Sequence, residues 1–197
     1  MTIKEICEKY GIKNYTINGD TIDVDGSVYL SKKRLAKLPL KFGTVTGNFY
    51  CYLNKLTSLE GAPEEVGGYF DCSHNNLTSL KGAPKKVSGH FYCYNNKLTS
   101  LEGAPKKVVR NFDCNSNNLT SLEGAPKKVN GSFYCYSNNL TTLDGAPEKV
   151  GGDFICYYNN LTSRLQCVII DANKSITDFG SFKIPKGKYK KIKWIFE

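Results

Sequence analysis

The tract Leu-Thr-Ser-Leu-x-Gly-Ala-Pro-x-x-Val returns along this 197-residue chain with no drift in spacing. Its leading leucine stands at Leu56, Leu77, Leu98, Leu119, Leu140 and Leu161, each 21 residues from the last. Cysteine keeps the interval at Cys51, Cys72, Cys93, Cys114, Cys135 and Cys156, and proline keeps it at Pro63, Pro84, Pro105, Pro126 and Pro147. A fixed short period marks a solenoid, in which each coil cannot bury its own apolar face and stacks on its neighbours to do so. Such an array offers a surface for binding before it offers a place for catalysis.

Within one unit, Phe70-Asp71-Cys72-Ser73 alternates apolar and polar, the period of a short strand with Phe70 and Cys72 inward. An asparagine sits two places before every repeat leucine, at Asn54, Asn75, Asn96, Asn117, Asn138 and Asn159. A buried turn leaves peptide groups that must be paired, which side-chain amides can do.

Strand, Asn, Leu, Leu is a layout that resembles the leucine-rich repeat over roughly residues 28 to 163. The resemblance implies an asparagine ladder and a parallel sheet on the concave face, and the repeats count about seven coils. The chain departs from that family's common pattern in placing three residues between Val66 and Phe70 where two are usual, so a bulge or bend is expected at Gly67-Gly68. The short period, the proline soon after the glycine and the lack of room for a convex helix resemble the bacterial subtype. The nearest likeness is to arrays encoded by bacteriophages, with Cys at the strand leucine, which implies a viral protein acting inside a bacterium.

The expected organisation has three parts. Residues 1–27 form an N-terminal cap: Ile3, Ile6, Cys7 and Tyr10 fall at helical spacing, Thr2 with Glu5 suits a capping box, and turn signals at Asn18-Gly19 and Asp25-Gly26 suggest a hairpin. Residues 28–163 form the solenoid, its first coil degenerate, with Lys33 where the ladder asparagine belongs. Residues 164–197 form a β cap, with strands expected at Val168–Ile170, Phe182–Ile184 and Ile192–Phe196. Terminal coils need such covers. The fold class is thus mainly β.

No run of 18 apolar residues occurs, and the charged stretch Met1–Gly11 does not read as a signal peptide, so a cytoplasmic protein is expected. Six of eight cysteines fill one inward column, and no CxxC or Cys/His cluster exists. Buried reduced thiols are therefore expected ahead of disulfides or a metal site. Sequons such as Asn76-Leu77-Thr78 are products of the repeat.

The net charge of +9 is unevenly placed. Residues 183–197 hold six lysines against Glu197, a balance of +5, while residues 44–163 hold eleven basic and ten acidic groups, a balance of +1. Nucleic-acid contact through Lys186, Lys188, Lys190, Lys191 and Lys193 is the weaker reading of this charge. The lysine stripe of the repeats reads as a solvated flank beside an acidic column.

The strand positions flanking the cysteines are more informative. Before it stand Tyr50, Asp71, Tyr92, Asp113, Tyr134 and Ile155, and after it stand Tyr52, Ser73, Tyr94, Asn115, Tyr136 and Tyr157. A third column runs Asn48, Tyr69, His90, Asn111, Ser132, Asp153. Pleating puts the flanking columns on the outer side of the sheet. Tyrosine alternating with Asp, Ser or Asn is paratope chemistry, although tyrosine ladders also favour sheets for their own sake. The expected partner-binding residues are Tyr50, Tyr52, Tyr69, Asp71, His90, Tyr92, Tyr94, Asp113, Asn115, Tyr134, Tyr136 and Tyr157.

Catalysis has little support: there are two histidines, no phosphate loop and no nucleophile elbow. Asp71 and Asp113, about 9.6 Å apart by rung spacing, approach the separation of an inverting glycosidase pair, but both are expected to be solvated. The expectation is a non-catalytic module without cofactor or metal that binds a host protein, a defence protein among the candidates, by its tyrosine face. A glycan or nucleic-acid binder and a virion structural component are the alternatives.

Overall fold

Each 21-residue unit contributes two short strands, one ending on the repeat valine and one beginning on the repeat phenylalanine, and two parallel sheets run side by side along the chain. In the computed structural model residues 1–161 are described throughout. Beyond them only four strand segments are described, Gln166–Ile169, Lys174–Ser175, Lys188–Tyr189 and Ile192–Ile195. The chain is a β-solenoid of about six turns. Seven parallel rungs of the second sheet begin at Val28, Phe49, Phe70, Phe91, Phe112, Phe133 and Phe154, and six turns join them.

The parallel sheet that carries the cysteine-flanking columns is accompanied by another, the valine sheet. The bend at Gly67-Gly68 is the corner between two sheets, so Val66 and Phe70 enter one core from different walls. The corner stays hydrogen-bonded, because Gly67 N–H donates to Val45 O at 2.9 Å and Gly68 N–H to Gly47 O at 2.8 Å. Turns whose backbone groups are paired in this way can sit inside a stack.

Like residues fall on like residues, with Phe112 level with Phe91 and Phe133. The phenyl rings from Phe49 to Phe154 form one stack, successive centroids 5.1 to 5.7 Å apart. With the valine, cysteine and leucine columns they are buried. Burying one such phenylalanine is worth about 1.5–3 kcal/mol. Exposed inter-coil ion pairs such as Lys85–Glu64 at 3.2 Å and Lys86–Glu65 at 3.0 Å give about 1 kcal/mol at most. The apolar columns therefore hold the coils together, and the lysine stripe trims repulsion.

The asparagine ladder is present. Asn75 donates Nδ2 to Cys51 O and Cys72 O, both at 3.0 Å, and its Oδ1 accepts from Leu56 N–H at 2.9 Å. Each ladder asparagine thus binds its own coil to the preceding one. This explains how the first coil tolerates Lys33, since Asn54 reaches back to accept from the N–H groups of Lys33 and Leu35 and to donate to Leu30 O. The residue before each ladder asparagine is left-handed, with φ of 50 to 53° at Leu53, His74, Asn95, Ser116, Ser137 and Tyr158.

Both ends carry covers. Helix α1, Ile3–Tyr10, starts on a Thr2/Glu5 capping box and ends on left-handed Gly11, and it buries Cys7. The hairpin of β1, Tyr15–Asn18, and β2, Thr21–Val24, follows. Its second strand is the first rung of the valine sheet, Val24 lying level with Val45. At the far end Gln166–Ile169 pairs antiparallel with Phe154–Ile155, and Ile192–Ile195 pairs antiparallel with it in turn. Lys188–Tyr189 extends the valine sheet beside Lys149–Val150. The expected strand at Phe182–Ile184 lies outside the described residues.

Candidate functional site

Asp113 is level with Tyr92 on one side and Tyr134 on the other. Parallel rungs lie about 4.8 Å apart, so the flanking tyrosines stand as shoulders over a lower polar row. The tyrosines at 50, 52, 92, 94, 134, 136 and 157 are half-buried. Between them Asp71, Ser73 and Asn115 are buried, only 8%, 1% and 5% exposed.

This overturns the expectation that Asp71 and Asp113 are solvated, since Asp71 is buried and Asp113 is half-buried. Neighbouring phenol rings overshadow a short side chain one rung away, so alternation of long and short residues buries the short ones. Burial, with the charge of Asp71 adding to it, pushes the Asp113 carboxyl up to about 6 despite hydrogen bonds from Asn115. Burial raises Asp71 as well, against the hydrogen bonds of Ser73 and the field of His74. The phenols respond in kind: burial and Asp113 raise Tyr92 to about 12, and Tyr136 moves the same way. The two carboxylates still do not face each other across open space. Tyr92 stands on the rung between them, where a scissile bond and its water would have to lie.

Over Asp113 the face opens into a hollow of about 620 Å³, walled by Tyr92 and Tyr94 on one side and Tyr134 and Tyr136 on the other. Asp113 and Asn115 form its floor, and Asn95, Asn111 and Ser116 its rim. A smaller hollow of about 300 Å³ lies between Tyr29, Tyr50, Tyr52, Ser31, Lys32 and Lys33. The rings brace one another. Tyr92 and Tyr94 meet edge to face at 6.2 Å, Tyr50 and Tyr52 do the same, and Tyr136 stacks on Tyr157 at 4.9 Å.

The third column has a structural task. Asn48 Oδ1 accepts from Tyr69 N–H at 2.7 Å, His90 Nδ1 from Asn111 N–H at 3.3 Å, and Asn111 Oδ1 from Ser132 N–H at 3.0 Å. It is a second ladder at the corner. Accepting at Nδ1 leaves the proton of neutral His90 on Nε2, and burial with Arg110 nearby lowers its pKa. The ring lies 4.6 Å from Tyr69 and 5.3 Å from Tyr92, so His90 joins the tyrosine face while holding the corner.

The structure therefore brings together Tyr92, Tyr94, Asp113, Asn115, Tyr134 and Tyr136, while Tyr50 and Tyr52 line the second hollow and Tyr157 flanks the first. Sequence reasoning missed Asn95 and Ser116, one column beyond the strand, and Tyr29, whose degenerate coil hid it. Extending each tyrosine column by one coil and the face by one column would have found them. Of the lysine tail, Lys186, Lys190 and Lys191 lie outside the described residues, and only the backbone of Lys188 and Lys193 is described. Among the described residues no group of three His, Cys, Asp or Glu is placed to hold a metal ion, and no helix is long and apolar enough to cross a membrane. No family model matches the chain, and neither a curated protein nor a solved structure matches it.

Proposed function

We propose that the protein is a non-catalytic binding module that docks another protein on its tyrosine face. The observation that supports this best is the hollow of about 620 Å³ between Tyr92/Tyr94 and Tyr134/Tyr136, open over a polar floor. Rigid aromatic side chains lose little entropy on contact and carry much of the energy of interfaces. The likeness to leucine-rich repeats of the short bacteriophage type makes a bacterial host protein, a defence protein among them, the expected partner. Binding would then sequester or inhibit that protein in the host cytoplasm.

The test is capture from bacterial lysate with and without nuclease, comparing Tyr92→Ala/Tyr136→Ala with Lys188→Ala/Lys190→Ala/Lys191→Ala at low and high salt. Truncating a central tyrosine costs about 2 kcal/mol or more, so the tyrosine pair is expected to lose the partner while the lysine triple keeps it. A nuclease-sensitive complex that needs the lysines and weakens steeply with salt would replace this reading with nucleic-acid binding.

A further inference from the structure

The hollow over Asp113 has one charged residue in its lining, and that residue is the floor. Hydrogen bonds from the Asn115 backbone N–H and from Asn115 Nδ2 both end on Oδ1. Among the described residues no hydrogen bond or ion pair engages Oδ2, and no lysine, arginine or histidine pairs with this carboxylate. The walls are two rungs apart, about 9.6 Å, so a group centred over Asp113 lies about 4.8 Å from each pair of rings. That is inside the range of about 6 Å in which a cation is drawn to an aromatic face. A guanidinium spreads its charge over a plane, whereas an ammonium on an alkyl stem concentrates it at one point over Oδ2.

We propose that this slot is an alkylammonium site, which takes a lysine side chain of the partner and seats its ammonium on Asp113 Oδ2 between the two tyrosine walls. The proposal deepens the docking reading and rests on it for the source of the lysine. Charge complementarity chooses the occupant: a half-buried carboxylate with no counter-ion gains most from a cation, less from a neutral hydrogen-bond donor and nothing from an anion. The titratable groups that face Asp113 are Asp71, the phenols of Tyr92, Tyr134 and Tyr136, and the thiols of Cys93 and Cys114. None of them supplies positive charge. With Asp113 raised to about 6, the free slot is anionic at pH 7.5 and neutralised at pH 5, with Asp71 titrating in the same sense.

The experiment is an NMR titration of the full-length protein with N-acetyl-lysine methylamide, following the tyrosine ring signals. N-acetyl-norleucine methylamide is the neutral isostere and N-acetyl-arginine methylamide the guanidinium comparison. Saturable shifts at Tyr92, Tyr94, Tyr134 and Tyr136 are expected from the lysine probe, at least about tenfold weaker in Asp113→Asn and weakening about tenfold per pH unit below 6. Equal binding of norleucine, tighter binding of arginine, or an Asp113→Asn variant that binds lysine as the parent does would overturn the proposal. Should Asp113→Asn fail to fold, Tyr136→Leu, on a wall instead of the floor, is expected to lose the lysine response, and its retention there would overturn the proposal equally. Partner capture with no lysine response sinks the slot alone, and a lysine response with no protein partner sinks the docking reading alone.

Discussion

Asn115 Nδ2 donates to Asp113 Oδ1 at 2.6 Å, and the Asn115 backbone N–H reaches the same oxygen at 3.1 Å. Two coils earlier Ser73 treats Asp71 in the same way, its Oγ at 2.6 Å and its N–H at 3.0 Å from Asp71 Oδ1. In both places the residue after the cysteine secures the residue before it. One carboxylate oxygen is fixed, and the tyrosines on the adjoining rungs shelter the rest in part.

Asp113→Asn should stabilise the protein at neutral pH. The folded carboxyl titrates near 6, above its ordinary value of 3.8, so the fold binds a proton that the unfolded chain has released. That contribution is complete below about pH 4 and is lost as pH rises through 6. Thermal melts of variant and parent should diverge by about 1–3 kcal/mol at pH 7.5 and converge at pH 4. A gap that does not narrow on acidification would show that the carboxylate is not strained by burial.

Asn117→Ala should lower stability without altering the tyrosine face. Asn117 donates to Cys93 O, Cys114 O and Asn115 O at 3.1 Å, and its Oδ1 accepts from Leu98 N–H at 3.0 Å. Each buried group left unpaired costs about 1–3 kcal/mol. A denaturant melt indistinguishable from the parent's would remove the ladder from the account of stability.

The column cysteines should resist thiol reagents in the native state. They are fully buried, burial pushes the Cys51 and Cys72 thiols far up, and Cys93 and Cys114 donate Sγ–H to carbonyls of the next coil at 3.3 Å. Only the thiolate reacts. Titration in denaturant should reveal all eight, and fast labelling of the native protein would contradict the burial.

Gly82→Ala should be costly. Gly82 has a φ of +85°, and an added Cβ would sit 2.8 Å from Leu59 O of the preceding coil. Left-handed strain costs about 1–3 kcal/mol, and the clash can be relieved only by parting two coils. A melting temperature within error of the parent's would show that the stack has slack at this turn.

Where side chains repeat, the sequence was legible. The 21-residue spacing of Phe, Cys, Leu and Asn announced the rungs, the buried columns and the ladder, and Thr2 with Glu5 announced the cap helix. The valine sheet was hidden, because a strand as short as Glu65–Val66 has too few residues to show a period, and its pairing exists only between coils. The burial of Asp71 and Asn115 was hidden for a related reason. Alternation within one strand says which face a residue takes, while shelter by Tyr92 and Tyr134 depends on the coils beside it.

Because rungs meet like on like, the array can be shortened as well as read. Excising residues 103–123 would join two coils whose mating surfaces already match, yet would set Tyr92 directly against Tyr134, as Tyr29 already lies on Tyr50 at 5.5 Å. The walls would then touch and the slot would vanish from an intact stack. Excising 42 residues instead keeps the alternation in phase. Recombination within such a gene therefore has two kinds of outcome, odd losses that blind the face and even losses that only trim it, and the repeat supplies the matched sequences at which either can happen.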